Sequence, residues 1–155
     1  MIILSIIAIL SIIAIPSFIE IYQEQKLTAV AQHYYLALQY ARSEAIKKNA
    51  KVYVFFKTGD NWCYGITTSN TCSCNIANSC ELGSYGATKT QDITLSLTHI
   101  DYPRITFEPA QGIPLESMIA TFTIYNQSRA VSVKLNKLGY ARLCSDNVSG
   151  YQPCT

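Results

Sequence analysis

Residues Met1 to Ile19 carry no charge, and Ser5, Ser11 and Ser17 are their only polar side chains. The first charge is Glu20. An uncharged Ile/Leu/Ala run of this length falls within the roughly 17–25 residues that a helix needs to cross a hydrocarbon core. A helix that is apolar all round has to be buried, in lipid or against other helices. The run therefore divides the chain into a transmembrane stem, residues 1–25, and a head, residues 26–155, of about one modest domain. A secretory signal would show a basic n-region, a shorter apolar stretch and a small-residue cleavage site. Here nothing basic precedes the run, and Glu20 and Glu24 follow it, so a cleaved signal is the weaker reading. Met1 either opens an unusual anchor or is internal to a longer chain.

Pro16 removes one helical hydrogen bond, which a membrane helix tolerates as a local kink. From Tyr22 to Asn49 the pattern is again helical. Leu27, Val30, Ala31, Tyr34, Leu38, Ala41, Ala45 and Ile46 recur at three- and four-residue steps, one apolar face. Lys47 and Lys48 suit a helix C-terminus. The amphipathic half, residues 26–49, then needs a partner surface. KVYVFFK (Lys51 to Lys57) alternates as a strand does, and Tyr64–Thr68, Ile93–Leu97 and Ile105–Phe107 are shorter candidates. Ala120–Asn126 and Ala130–Leu135 form a hairpin through Gln127-Ser128-Arg129. Its second strand places Val131, Val133 and Leu135 inward and Ser132 and Lys134 outward. Tyr140–Leu143 follows as a last strand. The class is α+β: a long N-terminal helix packed on an antiparallel sheet spanning residues 51–144.

Only 14% of residues are charged and 49% are apolar, which excludes a disordered chain, and a net charge of +2 excludes binding by bulk charge. Six cysteines, Cys63, Cys72, Cys74, Cys80, Cys144 and Cys154, lie outside the stem. An even count in turn-rich segments points to disulfides in an oxidising compartment. Cys144 and Cys154 flank one terminal loop with Gly150 and Pro153, a tail (144–154) that a single bridge would close. Cys72-x-Cys74 lacks the spacing of common structural zinc sites, so no metal is expected. Neither His33 nor His99 has a nucleophile in its sequence context, and Asp101, Glu108 and Glu116 are scattered. HExxH, P-loop and GxSxG motifs are absent. No enzyme, cofactor or small-molecule substrate is read here. The triplets at Asn126 and Asn147 match the glycosylation sequon, a match common by chance.

The stem MIILSIIAILSIIAIPSF followed by an amphipathic helix resembles type IV pilins and type II secretion pseudopilins. In those proteins a short basic leader and Phe-Thr-Leu-Ile-Glu precede the equivalent of Leu-Met, and this sequence opens at that Met. Ala41-Arg-Ser-Glu-Ala-Ile-Lys-Lys-Asn49 resembles the helix end of the GspH/FimT class of minor pilins. Asn61-Trp62 with Gly65, Ile105-Thr-Phe-Glu-Pro109 with Gly112, and Leu138-Gly-Tyr-Ala-Arg-Leu-Cys144 with Cys154 resemble its later segments. The resemblance implies a single-pass bacterial inner-membrane subunit with a periplasmic head, later packed in an extracellular pilus. Its partners would be other minor and major pilins, through the stem, in a priming or tip complex.

Two alternatives accompany that reading: a pseudopilin acting in type II secretion, and a DNA receptor for natural transformation. The charge distribution motivates the second. Between Thr58 and Tyr125 only Lys89 and Arg104 face six acids, whereas beyond Tyr125 Arg129, Lys134, Lys137 and Arg142 face only Asp146. Lys134, Lys137 and Arg142 are the expected phosphate contacts, with Tyr140 available to stack on a base. Tyr140 stands where the family's GRxR-type strand has its first Arg, which lowers the expected affinity.

Overall fold

The computed structural model describes residues 2–87, 92–98, 103–124 and 128–154, with side chains from Phe18 onward. His99, Asp101, Lys89 and the Asn126 sequon lie outside these residues. One helix, α1 (Ile2–Lys48), runs 47 residues, about 70 Å at 1.5 Å per residue. It ends where Asn49 takes a positive φ of 46° and Ala50 N–H donates to the Ala45 carbonyl at 3.2 Å. That left-handed residue and its return bond satisfy carbonyls the last turn leaves open. Among the described side chains, the first buried one on α1 is Leu27. From there Val30, Ala31, Tyr34, Ala37, Leu38, Ala41 and Ala45 form the buried stripe. Ile46, expected on that stripe, is exposed; Glu44 is buried instead, its carboxylate held by Lys47 and Lys48 one turn on.

Eight strands follow: β1 (Val52–Lys57), β2 (Cys63–Thr67), β3 (Gly83–Gly86), β4 (Ile93–Thr98), β5 (Arg104–Phe107), β6 (Met118–Ile124), β7 (Ala130–Leu135) and β8 (Ala141–Cys144). They make two four-stranded sheets rather than the single sheet expected, in orders β3-β2-β1-β5 and β4-β6-β7-β8, with every pairing antiparallel. The helix closes both. Tyr34 sits at the junction, packed edge-on to Phe56 and Tyr64 of the first sheet and Phe122 of the second. Trp62 joins the sheets a second time. Its indole N–H donates to the Ile93 carbonyl at 2.7 Å, and its ring packs edge-on to Phe122.

Three disulfides are formed: Cys63–Cys74, Cys72–Cys80 and Cys144–Cys154. The first two staple residues 63–80 over the outer face of β2, so that all five of its residues are buried, Tyr64 and Ile66 inward and Cys63, Gly65 and Thr67 under the loop. Lys48 reaches this loop from the helix end and pairs with Glu81 at 3.0 Å. A hydrogen bond from the Thr68 hydroxyl, then one from Lys48, holds the Glu81 carboxyl below its ordinary range. Its stabilising effect is therefore present above the usual carboxylate pKa and lost as pH falls through the lowered value.

Burial raises the phenols of Tyr34 and Tyr64 above the ordinary value of 10.0, with a smaller contribution from the neighbouring Tyr64 and Tyr85 respectively. An unfolded chain ionises these groups near pH 10 while the folded one does not. The stability they confer is thus complete below that pH and is lost as pH rises past it. Alkaline titration is expected to show a late phenolate absorbance phase that coincides with loss of the far-ultraviolet dichroism. A single early phase before unfolding would contradict the burial.

Candidate functional site

Two surfaces carry the features that sequence analysis singled out. The first is the joint where the stem meets the head. Arg129, just after the β6–β7 loop, donates to Glu24 at 2.8 Å and to Glu20 at 3.2 Å. Ser149, in the disulfide-closed tail, donates to the other Glu24 oxygen at 3.4 Å. Lys26 pairs with Asp92 at 3.1 Å. These contacts bring helix, hairpin and tail together at one turn of α1. Their partners lie more than a hundred residues apart for Arg129, which is why no local sequence signal announces them. Ahead of the joint, Phe18, Ile19, Ile21 and Tyr22 are exposed. Among the described residues no helix is long and apolar enough to cross a membrane, so the anchoring expected of residues 1–25 rests on sequence.

The second surface is the expected basic face. Lys137 lies exposed in the β7–β8 turn, Tyr140 is exposed beside it, and Arg142 is exposed on β8, directly across from Lys134 in the β7–β8 register. Lys134 departs from its expected exposure. It is half-buried because the tail folds back across β7, and its ammonium donates to the carbonyl of Cys154, the residue bonded to Cys144. Ser132, also expected outward, is buried and shares a hydrogen bond of 2.9 Å with Thr121 on β6. The structure thus brings Lys134, Tyr140 and Arg142 to one groove of about 550 Å³, with Lys137 outside it, and the tail engages one of the three expected cations.

Arg42 was not foreseen at this face. It reaches over from α1, donates to the Gly139 carbonyl at 3.0 Å, and stands 5.7 Å from the Tyr140 ring centroid. Its place among apolar helix positions, off the buried stripe, was the available signal. Other residues prove to be structural. Glu108 pairs with Lys51 at 2.9 Å, and Glu116 accepts from the Thr106 N–H at 3.2 Å. Asn147 spends its side chain on the Ala130 N–H and the Ser128 carbonyl. His33 stacks on Tyr85 at 4.3 Å and shares a 2.5 Å hydrogen bond with the Tyr64 hydroxyl. Among the described residues no group of three or more His, Cys, Asp or Glu is placed to hold a metal ion.

Comparison with known proteins places this geometry. No curated protein matches the chain. Among solved structures, two crystal forms of the type IV minor pilin FimU from Pseudomonas aeruginosa share its fold, with TM-scores of 0.60 and 0.59 at 18% and 19% identity. The matches cover 80% and 79% of this chain and 95% and 98% of the FimU chains. The family described as Type II transport protein GspH matches residues 30–139, from the buried stripe of α1 to the β7–β8 turn. The chain belongs to this GspH family, the GspH/FimT class within the type IV pilins and pseudopilins.

Proposed function

We propose that this protein is a minor type IV pilin that helps to initiate or cap a pilus. In this reading residues 1–25 anchor it in the bacterial inner membrane with the head, 26–155, in the periplasm. The stem later packs against stems of other minor and major pilins in a priming or tip complex outside the cell. One observation carries the proposal. The face of α1 turned away from the head has no exposed Asp, Glu, Lys or Arg between Gln25 and Ser43, and ahead of it Phe18, Ile19, Ile21 and Tyr22 stand exposed. The charges of that stretch are instead spent on the head, Lys26 on Asp92 and Arg42 on the β7–β8 turn. Leu36, Tyr40 and these four apolar side chains, set among the uncharged Gln25, Gln32 and His33 and with exposed Glu20 paired to Arg129, call for a covering partner.

The family description favours a second reading, a pseudopilin in type II secretion. Deleting the gene in the producing bacterium separates the two. Loss of surface pili with protein export intact supports the pilin, and loss of export with pili intact supports the pseudopilin. A chain shortened to begin at Lys26 is expected to leave the membrane fraction; if it still pelleted with membranes, the anchor assignment would be wrong. The exposed Lys137, Arg142 and Tyr140 favour DNA as an extracellular ligand. With Lys134 held by the tail, Lys137 and Arg142 remain as phosphate contacts, so the log–log salt slope should be about −2. Equal duplex binding by the wild type and a Lys137→Ala, Arg142→Ala variant would remove DNA from this face.

A further inference from the structure

In chain order the four middle cysteines are Cys63, Cys72, Cys74 and Cys80, and their bonds cross: Cys63–Cys74 and Cys72–Cys80. Four cysteines can pair in three ways, and only this one interlocks the two loops. The tail bridge is different, because no cysteine lies between Cys144 and Cys154. What selects the crossed set is the folded sheet. Cys63 and Gly65 share the outer face of β2, and a Cβ at Gly65 would overlap Cys80 Sγ and stand 2.9 Å from Cys72 Sγ. The Cys72–Cys80 bridge therefore lies on that glycine, and Cys80 leads the chain into β3, whose Ser84 is paired with Gly65. None of this guidance exists before β2 and β3 have met. A chain made and delivered from its N-terminal end presents Cys63 and Cys72 together before Cys74 and Cys80 arrive. Short loops also cost the least entropy to close. Both effects favour the consecutive set, Cys63–Cys72 and Cys74–Cys80.

Passing from the consecutive to the crossed set requires a thiolate, since disulfides exchange by thiolate attack on a bonded sulfur. The chain has none to give. It holds six cysteines, and in either set all six are bonded. We propose that a dithiol–disulfide isomerase is an obligatory partner of this chain, acting on residues 63–80 before the loop seats on β2. The enzyme thiolate attacks Cys74 Sγ of the Cys74–Cys80 bond, giving a mixed disulfide and a Cys80 thiolate. Cys80 attacks Cys72 Sγ, closing Cys72–Cys80 and freeing the Cys63 thiolate. Cys63 then attacks Cys74 Sγ, closing Cys63–Cys74 and returning the enzyme thiolate. Three bonds break and three form, so nothing is oxidised or reduced overall. The attacked residues, Cys72 and Cys74, are half-buried in the finished head. The attacking residues, Cys63 and Cys80, end buried, so folding draws the exchange forward. The inference needs the oxidising compartment of the pilin reading and not the pilus role.

The test follows the pulse-labelled full chain in producing cells whose dithiol isomerases are intact or deleted, with thiols blocked at lysis and bonds mapped by peptide mass. Deletion should leave Cys144–Cys154 formed and lower the crossed pair about fivefold or more, in favour of Cys63–Cys72 and Cys74–Cys80. Purified isomerase added to that misbonded chain in detergent should restore the crossed set. Undiminished crossed pairing in the deleted cells would overturn the proposal. Equal repair by glutathione at the same thiol concentration would overturn it too, because no enzyme would then be required. A Cys63→Ser, Cys74→Ser chain has one middle pair and nothing to exchange, so its Cys72–Cys80 bond should close equally in both cells. A Cys72–Cys80 bond that still needed the isomerase would show the enzyme acting on the fold and not on the pairing, against the proposal. None of these readouts involves pili, so each negative result leaves the pilin reading standing, to be decided by the gene deletion.

Discussion

Trp62→Ala is expected to lower the unfolding free energy by about 3–5 kcal/mol, the range for removing a fully buried aromatic ring. The case rests on position as much as size. Trp62 is 1% exposed, yet it belongs to the segment entering the first sheet while its nearest edge-on partner, Phe122, and its acceptor, the Ile93 carbonyl, belong to the second. Deletion therefore opens a cavity at the seam and orphans a buried carbonyl. Trp62→Phe keeps most of the ring but removes the N–H, so it should cost about 1–3 kcal/mol, the penalty of an unsatisfied buried acceptor. Urea unfolding of the three chains in the same detergent measures both differences. If Trp62→Ala lost under about 1 kcal/mol, the seam would have to be held elsewhere, because such a small loss does not fit a buried indole.

That seam marks the limit of what the sequence discloses. Periodicity reports which side chains share a face, and here it does so well. The α1 stripe from Leu27 to Ala45 and the inward row Val131, Val133, Leu135 are buried as the three-four and alternate spacings require. Partner choice is another matter, because a strand's alternation is the same whichever sheet receives it. Hence β1 and β6 were legible as strands while their membership of different sheets was not. β3 was invisible for a local reason. Gly83-Ser-Tyr-Gly86 has two glycines and no β-branched residue, and it becomes a strand because Cys72–Cys80 delivers the chain to the edge of β2.

The basic face shows the same division. Lys134 does point away from the Val131–Leu135 row, but the tail that covers it arrives from Cys154, twenty residues on. Tyr140 was legible as a residue beside cations; that Arg42 braces it from a helix 98 positions earlier was not. Each failure involves a contact made across the fold, by a tail with no periodic pattern or by a helix residue off the stripe that periodicity reports. Charge is similarly deceptive on α1. Glu44 lies in a run of polar residues at the helix end, and it is tolerated at 6% exposure because Lys47 and Lys48 return to it from the next turn.

Gly65→Ala is expected to cost about 2–3 kcal/mol, close to the whole contribution of a short-loop disulfide. Gly65 faces outward on β2, and a Cβ added there would overlap Cys80 Sγ and stand 2.9 Å from Cys72 Sγ. A flexible side chain could swing aside, but these two sulfurs are bonded to each other, and the loop that carries them is bonded again through Cys63–Cys74. The variant therefore has two outcomes, a loop lifted off β2 or a Cys72–Cys80 bridge that fails to close. Counting thiols in the native state distinguishes them: the wild type should show none, and the second outcome shows two per chain. The decisive comparison adds Gly65→Ala to a Cys72→Ser, Cys80→Ser chain. If the cost comes from the sulfurs, it should nearly vanish in that background, a coupling of about the size of the original loss. An undiminished penalty there would show that β2 itself rejects a side chain at this position, and the stapled loop would no longer explain the glycine.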